Sequence, residues 1–170
     1  MLNDQAIATN YLLNNNLANR ILIIDLDVHQ GNGTAEIFKN EPRVFTYSMH
    51  AAQNFPFRKE ISDFDRALEN GVSDEYYLST LVADLKFIFD QHQPDFVFYL
   101  AGVDVLASDQ LGKLALTKTG CKQRDQLVLE TCLQKQVPVQ VSMGGGYSAD
   151  IKTIVDAHCN TFRLAIELLC

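Results

Sequence analysis

Apolar positions in this chain alternate between two kinds of pattern. From Met1 to Leu17, residues Leu2, Ala6, Ile7, Tyr11, Leu12 and Leu13 recur at helical spacing and stop at Asn14-Asn15-Asn16. Ile21-Leu22-Ile23-Ile24 is instead an unbroken branched run, the pattern of a strand covered on both faces of a parallel sheet. Val44 to Met49 predicts a second short strand, and Phe96-Val97-Phe98-Tyr99-Leu100 a third. Between them, Leu78, Leu81, Val82, Leu85, Ile88 and Phe89 stripe a helix over 74–91, with Ser73 as its N-cap. Arg124 to Lys135 reads as a helix and Val137 to Met143 as a strand. Ile151, Ile154, Val155, Cys159, Phe162, Ile166 and Leu169 stripe a closing helix. The segment from Asn54 to Val72, with Pro56, Gly71 and mixed charges, reads as a long surface loop.

Strands that alternate with helices predict an α/β fold with a parallel sheet and helices on both faces, because parallel neighbours need crossover connections. No linker or repeat interrupts the 170 residues, so one domain over 1–170 is expected. The net charge of -7 disfavours a phosphate-binding basic face, and direct nucleic-acid binding is not expected. No apolar run reaches a membrane span and no basic, apolar leader opens the chain. Cys121, Cys132, Cys159 and Cys170 form no CxxC pair, which excludes a zinc ribbon. Three of them sit at helix-like apolar positions, as buried thiols would in a reducing compartment. The expected location is the cytoplasm.

Three polar clusters follow three of the strands, at the ends where chemistry collects in such sheets. The first strand runs into Asp25-Leu26-Asp27-Val28-His29-Gln30-Gly31-Asn32-Gly33. In an extended segment residues two apart face one side, so Asp25, Asp27 and His29 are expected to converge. Carboxylate plus imidazole at that spacing forms half of a metal site. Another strand runs into Ala101-Gly102-Val103-Asp104, and the last into Gly144-Gly145-Gly146-Tyr147-Ser148. Singly, each feature has a plainer role: an Asp as turn former, a structural histidine, a half-buried tyrosine. Their co-occurrence on three strand ends points to a site.

Taken together, 25–34, 101–109 and 144–147 resemble the zinc-dependent histone deacetylases, with an order and spacing that fit the class IV branch and its bacterial relatives. The resemblance runs from about Met1 to the C-terminus and implies an arginase/deacetylase-like fold. It implies a Zn2+ site at Asp27, His29 and Asp104, with an open position for chemistry on acetyl-lysine or a related acylated amine. Tyr147 matches the tyrosine that supports the oxyanion. Asp25 and Asn32 match catalytic-centre residues that orient a histidine pair. Asp25, Asp27, His29, Ser48 and Met49 match the positions of a monovalent-cation site, expected to hold K+. Phe55 and Gly145 match substrate-binding positions, Phe55 as a wall of the acyl-lysine tunnel.

The pattern also departs from the family. Its histidine pair stands upstream of the helix that begins here, whereas this chain has only His29, His50, His92 and His158. The resemblance therefore implies the back half of a deacetylase domain, truncated at the N-terminus. Such a chain would have impaired activity alone and would associate with a missing front half or with copies of itself. The alternative is a non-catalytic or degenerate relative that binds zinc or a partner. Ile21 to Asp27 also resembles the first motif of haloacid-dehalogenase-type phosphotransferases, but no later strand ends in the Asp pair that magnesium would want. An arginase-like manganese hydrolase would want more carboxylates than Gln30 and Asn32 provide.

Overall fold

The computed structural model describes residues 3–169. The elements run α1 (Asp4–Asn14), β1 (Ile21–Asp25), α2 (Asn32–Phe38), β2 (Val44–Ala51), β3 (Phe64–Leu68), α3 (Asp74–His92), β4 (Phe96–Gly102), α4 (Lys118–Lys135), β5 (Val139–Gly144) and α5 (Ile151–Leu169). The five strands form one sheet in the order β3-β2-β1-β4-β5, and every neighbouring pair is parallel.

Side-chain alternation along β1 sends residues to two cores. Leu22 and Ile24 pack with Tyr47, Met49, Val97 and Tyr99 against α3, α4 and α5. Ile21 and Ile23 pack with Val44 and Phe98 against α1 and Phe38 of α2. Ile21, Leu22, Ile23 and Ile24 are all fully buried, which is why the run carries no polar alternation. The expected parallel sheet with helices on both faces is thus what the chain forms.

Three segments differ from the sequence expectation. Asn54 to Val72 is not all loop: 64–68 form edge strand β3, masked by polar Asp65 and Arg66, which suit an edge. Residues 32–38 form α2, too short to show a periodic stripe. The helix expected from Arg124 begins at Lys118, because Thr117 caps it by accepting from the Gly120 amide while Asp74 holds the Thr117 hydroxyl at 2.6 Å. Ser73 does sit at the N-cap of α3, without a side-chain capping bond. Leu2 and Cys170 lie outside the described residues, among which Cys121, Cys132 and Cys159 are free thiols. No helix among the described residues is long and apolar enough to cross a membrane.

The connections set where ligands can enter. From β1 the chain steps outward through β2 to β3, then crosses back to β4 on the other side of β1 and on to β5. The crevice at such a switch point opens between the carboxyl ends of the two diverging strands, β1 and β4.

Candidate metal centre

The three strand-end clusters meet at that switch point. Asp27, His29 and Asp104 each bring a ligand atom to within 4.8 Å of the others. His29 Nδ1 lies 2.9 Å from Asp27 Oδ1 and 3.3 Å from Asp104 Oδ2. Asp104 is 1% exposed; its Oδ1 accepts the Val28 amide at 2.9 Å and its Oδ2 faces the His29 imidazole. A buried carboxylate is costly unless a donor, a cation or a proton meets it. Burial pushes the Asp104 carboxyl above its usual range. Hydrogen bonds to Asp104, then to Asp27, push the His29 imidazole up to about 10. The pocket therefore holds positive charge strongly, and two carboxylates with an imidazole nitrogen are a donor set suited to a divalent metal.

Asp25 does not join this trio. The chain leaves its extended path after Asp25, and the Asp25 carboxylate turns back to accept the Asp27 amide at 3.1 Å. It lies buried against Gly31, where a Cβ would fall on its Oδ2. Burial, reinforced by the charge of Asp27, pushes its carboxyl well above the usual range. Ser48 stands in register with Asp25 on β2, and its hydroxyl accepts the Gly31 amide at 3.2 Å and lies 3.0 Å from His50 Nδ1. Met49 is fully buried beside it. His50 lies within β2 and not after it, at 1% exposure. Asn32 opens α2, one turn beyond His29.

The glycines keep the centre tight. A Cβ at Gly102 would stand 2.6 Å from the Asp27 Cα, and a Cβ at Gly145 would overlap the Asp104 carboxylate. Gly145 also has φ +59, in the left-handed region that glycine occupies freely. The next residues lead to Tyr147, which is half exposed. Its amide donates to Asp109 Oδ2 at 2.7 Å, while Asp109 Oδ1 accepts the amides of Leu111 and Gly112 at 2.9 and 2.8 Å. Asp109 thereby staples the β4–α4 loop to the loop that carries Tyr147. Asn54, 4% exposed, does the same on the other flank: it bonds Leu111 and Lys113 and lies 3.3 Å from His29 Nε2. Phe55 follows it and is exposed, edge-on to Phe57 at 6.2 Å.

Asp109, Asn54 and the buried Arg124 are the residues that sequence reasoning left without a role. Asp109 closes the 101–109 motif, and Arg124 carried a signal of its own: an arginine on the apolar stripe of α4 between Cys121 and Val128.

A parallel α/β sheet with a two-carboxylate, one-histidine trio at its switch point is an architecture with the donors to hold a divalent metal. The family model for the histone deacetylase domain matches residues 1–162, and the chain belongs to that family. An uncharacterized protein from Picosynechococcus sp. is 50% identical over 168 residues, which is 99% of this chain and 56% of that protein. Histone deacetylase 2 of Arabidopsis thaliana is 33% identical over 148 residues, 85% of this chain and 38% of that protein. Among solved structures, a histone deacetylase homologue from Aquifex aeolicus matches with a TM-score of 0.81 and 25% identity, covering 97% of this chain and 45% of that one. The chain thus spans about half the length of these relatives.

Proposed function

We propose that this chain provides the zinc-binding centre of a deacetylase that hydrolyses the amide of acetyl-lysine or a related acylated amine. The observation that carries this reading is the convergence of Asp27, His29 and the buried Asp104, whose ligand atoms lie within 4.8 Å of one another. These three residues would hold Zn2+. When bound, the metal would polarise the amide carbonyl and lower the pKa of a water. Tyr147, at the end of the glycine turn, would donate its hydroxyl to the acyl oxygen as negative charge develops there. Gly145, whose turn packs directly on Asp104, would form part of the substrate-site wall, with exposed Phe55 at the rim of the substrate channel. A K+ ion would lie near Asp25, Asp27, His29, Ser48 and Met49.

Asp25 and Asn32 would orient a histidine pair supplied by a further polypeptide segment. Among the described residues, His50, His92 and His158 stand outside the metal trio. The apolar surface supports association with such a segment. Ile7 and Tyr11 of α1 line a groove of about 510 Å³ with Phe96 and Phe98 of β4, beside open edge strand β5. Ile151, Val155 and Ile166 stripe the exposed side of α5. Exposed apolar side chains grouped in this way on one element suit an interaction site. The free buried thiols Cys121 and Cys132 fit a reducing, cytoplasmic setting.

The test is acetate release from an acetyl-lysine peptide by the zinc-loaded chain, alone and mixed with the remaining segment of the Picosynechococcus relative. Slow turnover alone, rising roughly 100- to 10,000-fold with the added segment, is expected where a general acid-base is restored. Zinc binding with no turnover in either sample would contradict the enzymatic reading and favour a non-catalytic zinc- or partner-binding protein.

A further inference from the structure

Arg124 is fully buried on α4, and the chemistry described above makes no use of it. A guanidinium is retained in a core only where its donors are met, so its partners indicate its task. Nε and Nη2 donate to Asp125 Oδ1 at 2.9 and 2.7 Å. Nη1 leaves the helix and donates to two main-chain oxygens, Gly102 at 2.5 Å and Leu26 at 3.2 Å. Leu26 immediately precedes Asp27, and Gly102 stands two residues before Asp104. The ladder between β1 and β4 ends with Asp25 opposite Leu100, and the Leu26 amide reaches the Leu100 oxygen at 3.1 Å. Beyond that rung no main-chain bond joins the two strand ends among the described residues, and Nη1 bridges them instead.

The bridge is itself fixed from three elements. Asp125, which orients the guanidinium, accepts the Tyr99 hydroxyl of β4 at 2.5 Å and the Thr161 hydroxyl of α5 at 2.6 Å. Both Arg124 and Asp125 are 0% exposed. An ion pair serving only the core would be complete with Asp125; the two carbonyl bonds instead tie α4 to the strand ends that carry the ligands.

We propose that Arg124 is a positioning residue for the metal centre, clamping the diverging ends of β1 and β4 so that Asp27 and His29 stay within reach of Asp104. The inference rests on the reading of those three residues as metal ligands. Lysine keeps the charge but cannot fork to Asp125 and two carbonyls at once.

The experiment compares Arg124→Lys with Asp125→Asn, which keeps the guanidinium and both of its carbonyl acceptors. In Arg124→Lys, Zn2+ and Co2+ affinity is expected to fall roughly 10- to 100-fold, with an altered Co2+ absorption spectrum. In the metal-free protein, hydrogen exchange at the Val28 amide should accelerate more than at Ile23 in the strand centre. Asp125→Asn should lower thermal stability while costing less metal affinity than Arg124→Lys. Parental affinity in folded Arg124→Lys would overturn the proposal, as would affinity losses in the two variants that follow their stability losses in equal proportion. If Arg124→Lys does not fold, the double variant Arg124→Met/Asp125→Leu removes both charges together, and retained affinity there overturns the proposal. A parent chain that takes up no metal would count against the ligand assignment, while Val28 exchange would still decide the role of Arg124.

Discussion

Replacing Gly102 with alanine tests how tightly the two ligand-bearing strand ends are packed. The added Cβ would lie 2.6 Å from the Asp27 Cα and 2.9 Å from both its Cβ and its Oδ2. An ordinary carbon contact needs about 3.5 Å, so Asp27 or the end of β4 must withdraw by roughly 0.9 Å. The obstructing atoms include backbone, so no rotamer change relieves the clash. Withdrawal also stretches the Arg124 bonds to Gly102 and Leu26, now 2.5 and 3.2 Å. Such overpacking should cost about 1–3 kcal/mol of stability, and the displaced ligand should cost roughly 10- to 100-fold in zinc affinity. Chemical denaturation and competition with a chromogenic chelator measure the two effects on one sample. A Gly102→Ala protein that binds zinc as tightly as the parent would refute the account of how β1 and β4 bring the ligands together.

Gly33→Ala is the complementary case: Gly33 lies within α2 with nothing near its missing Cβ. Stability should rise by about 0.5–1 kcal/mol in denaturant unfolding. Removal of the Asp109 carboxylate in Asp109→Ala frees the amides of Leu111, Gly112 and Tyr147. Limited proteolysis should then cut faster within 144–150, whereas an unchanged cleavage rate would show that the staple is dispensable. His50 and His92 have imidazoles pushed below their usual range, chiefly by burial. The unfolded chain therefore binds protons first as pH falls below about 6.5, and stability should be full above that pH and decline below it. Each histidine contributes a slope of at most about 1.4 kcal/mol per pH unit, so His92→Gln should flatten the decline between pH 7 and 5 in denaturation midpoints; an unchanged slope would exclude His92 as a contributor.

What the sequence made legible follows from how strongly each element depends on local pattern. The four-residue run from Ile21 to Ile24 announces a central strand because both its faces are buried. Asp27, His29 and Asp104 were readable as one site because parallel strands deliver their carboxyl ends to a common crevice. Edge strand β3 was not legible: Asp65 and Arg66 serve Ser62, Gln30 and Asp84 through side chains, so its composition resembles a loop. The expected convergence of Asp25 with Asp27 and His29 does not form, because alternation holds only while the chain is extended, and it turns after Asp25. Arg124 is separated from the carbonyls it bonds by 98 and 22 residues, a relation that no local periodicity encodes.

The central claim is that Asp27, His29 and Asp104 form a metal site in this chain. Its most direct test is zinc content after chelator treatment, reloading and equilibrium dialysis, on the parent chain beside Asp27→Ala and Asp104→Ala. The account predicts about one Zn2+ per parent chain, as a three-ligand centre requires, and none above background in either variant, with all three proteins showing cooperative unfolding. A cooperatively folded parent that retains no zinc, or variants that retain as much as the parent, would contradict it.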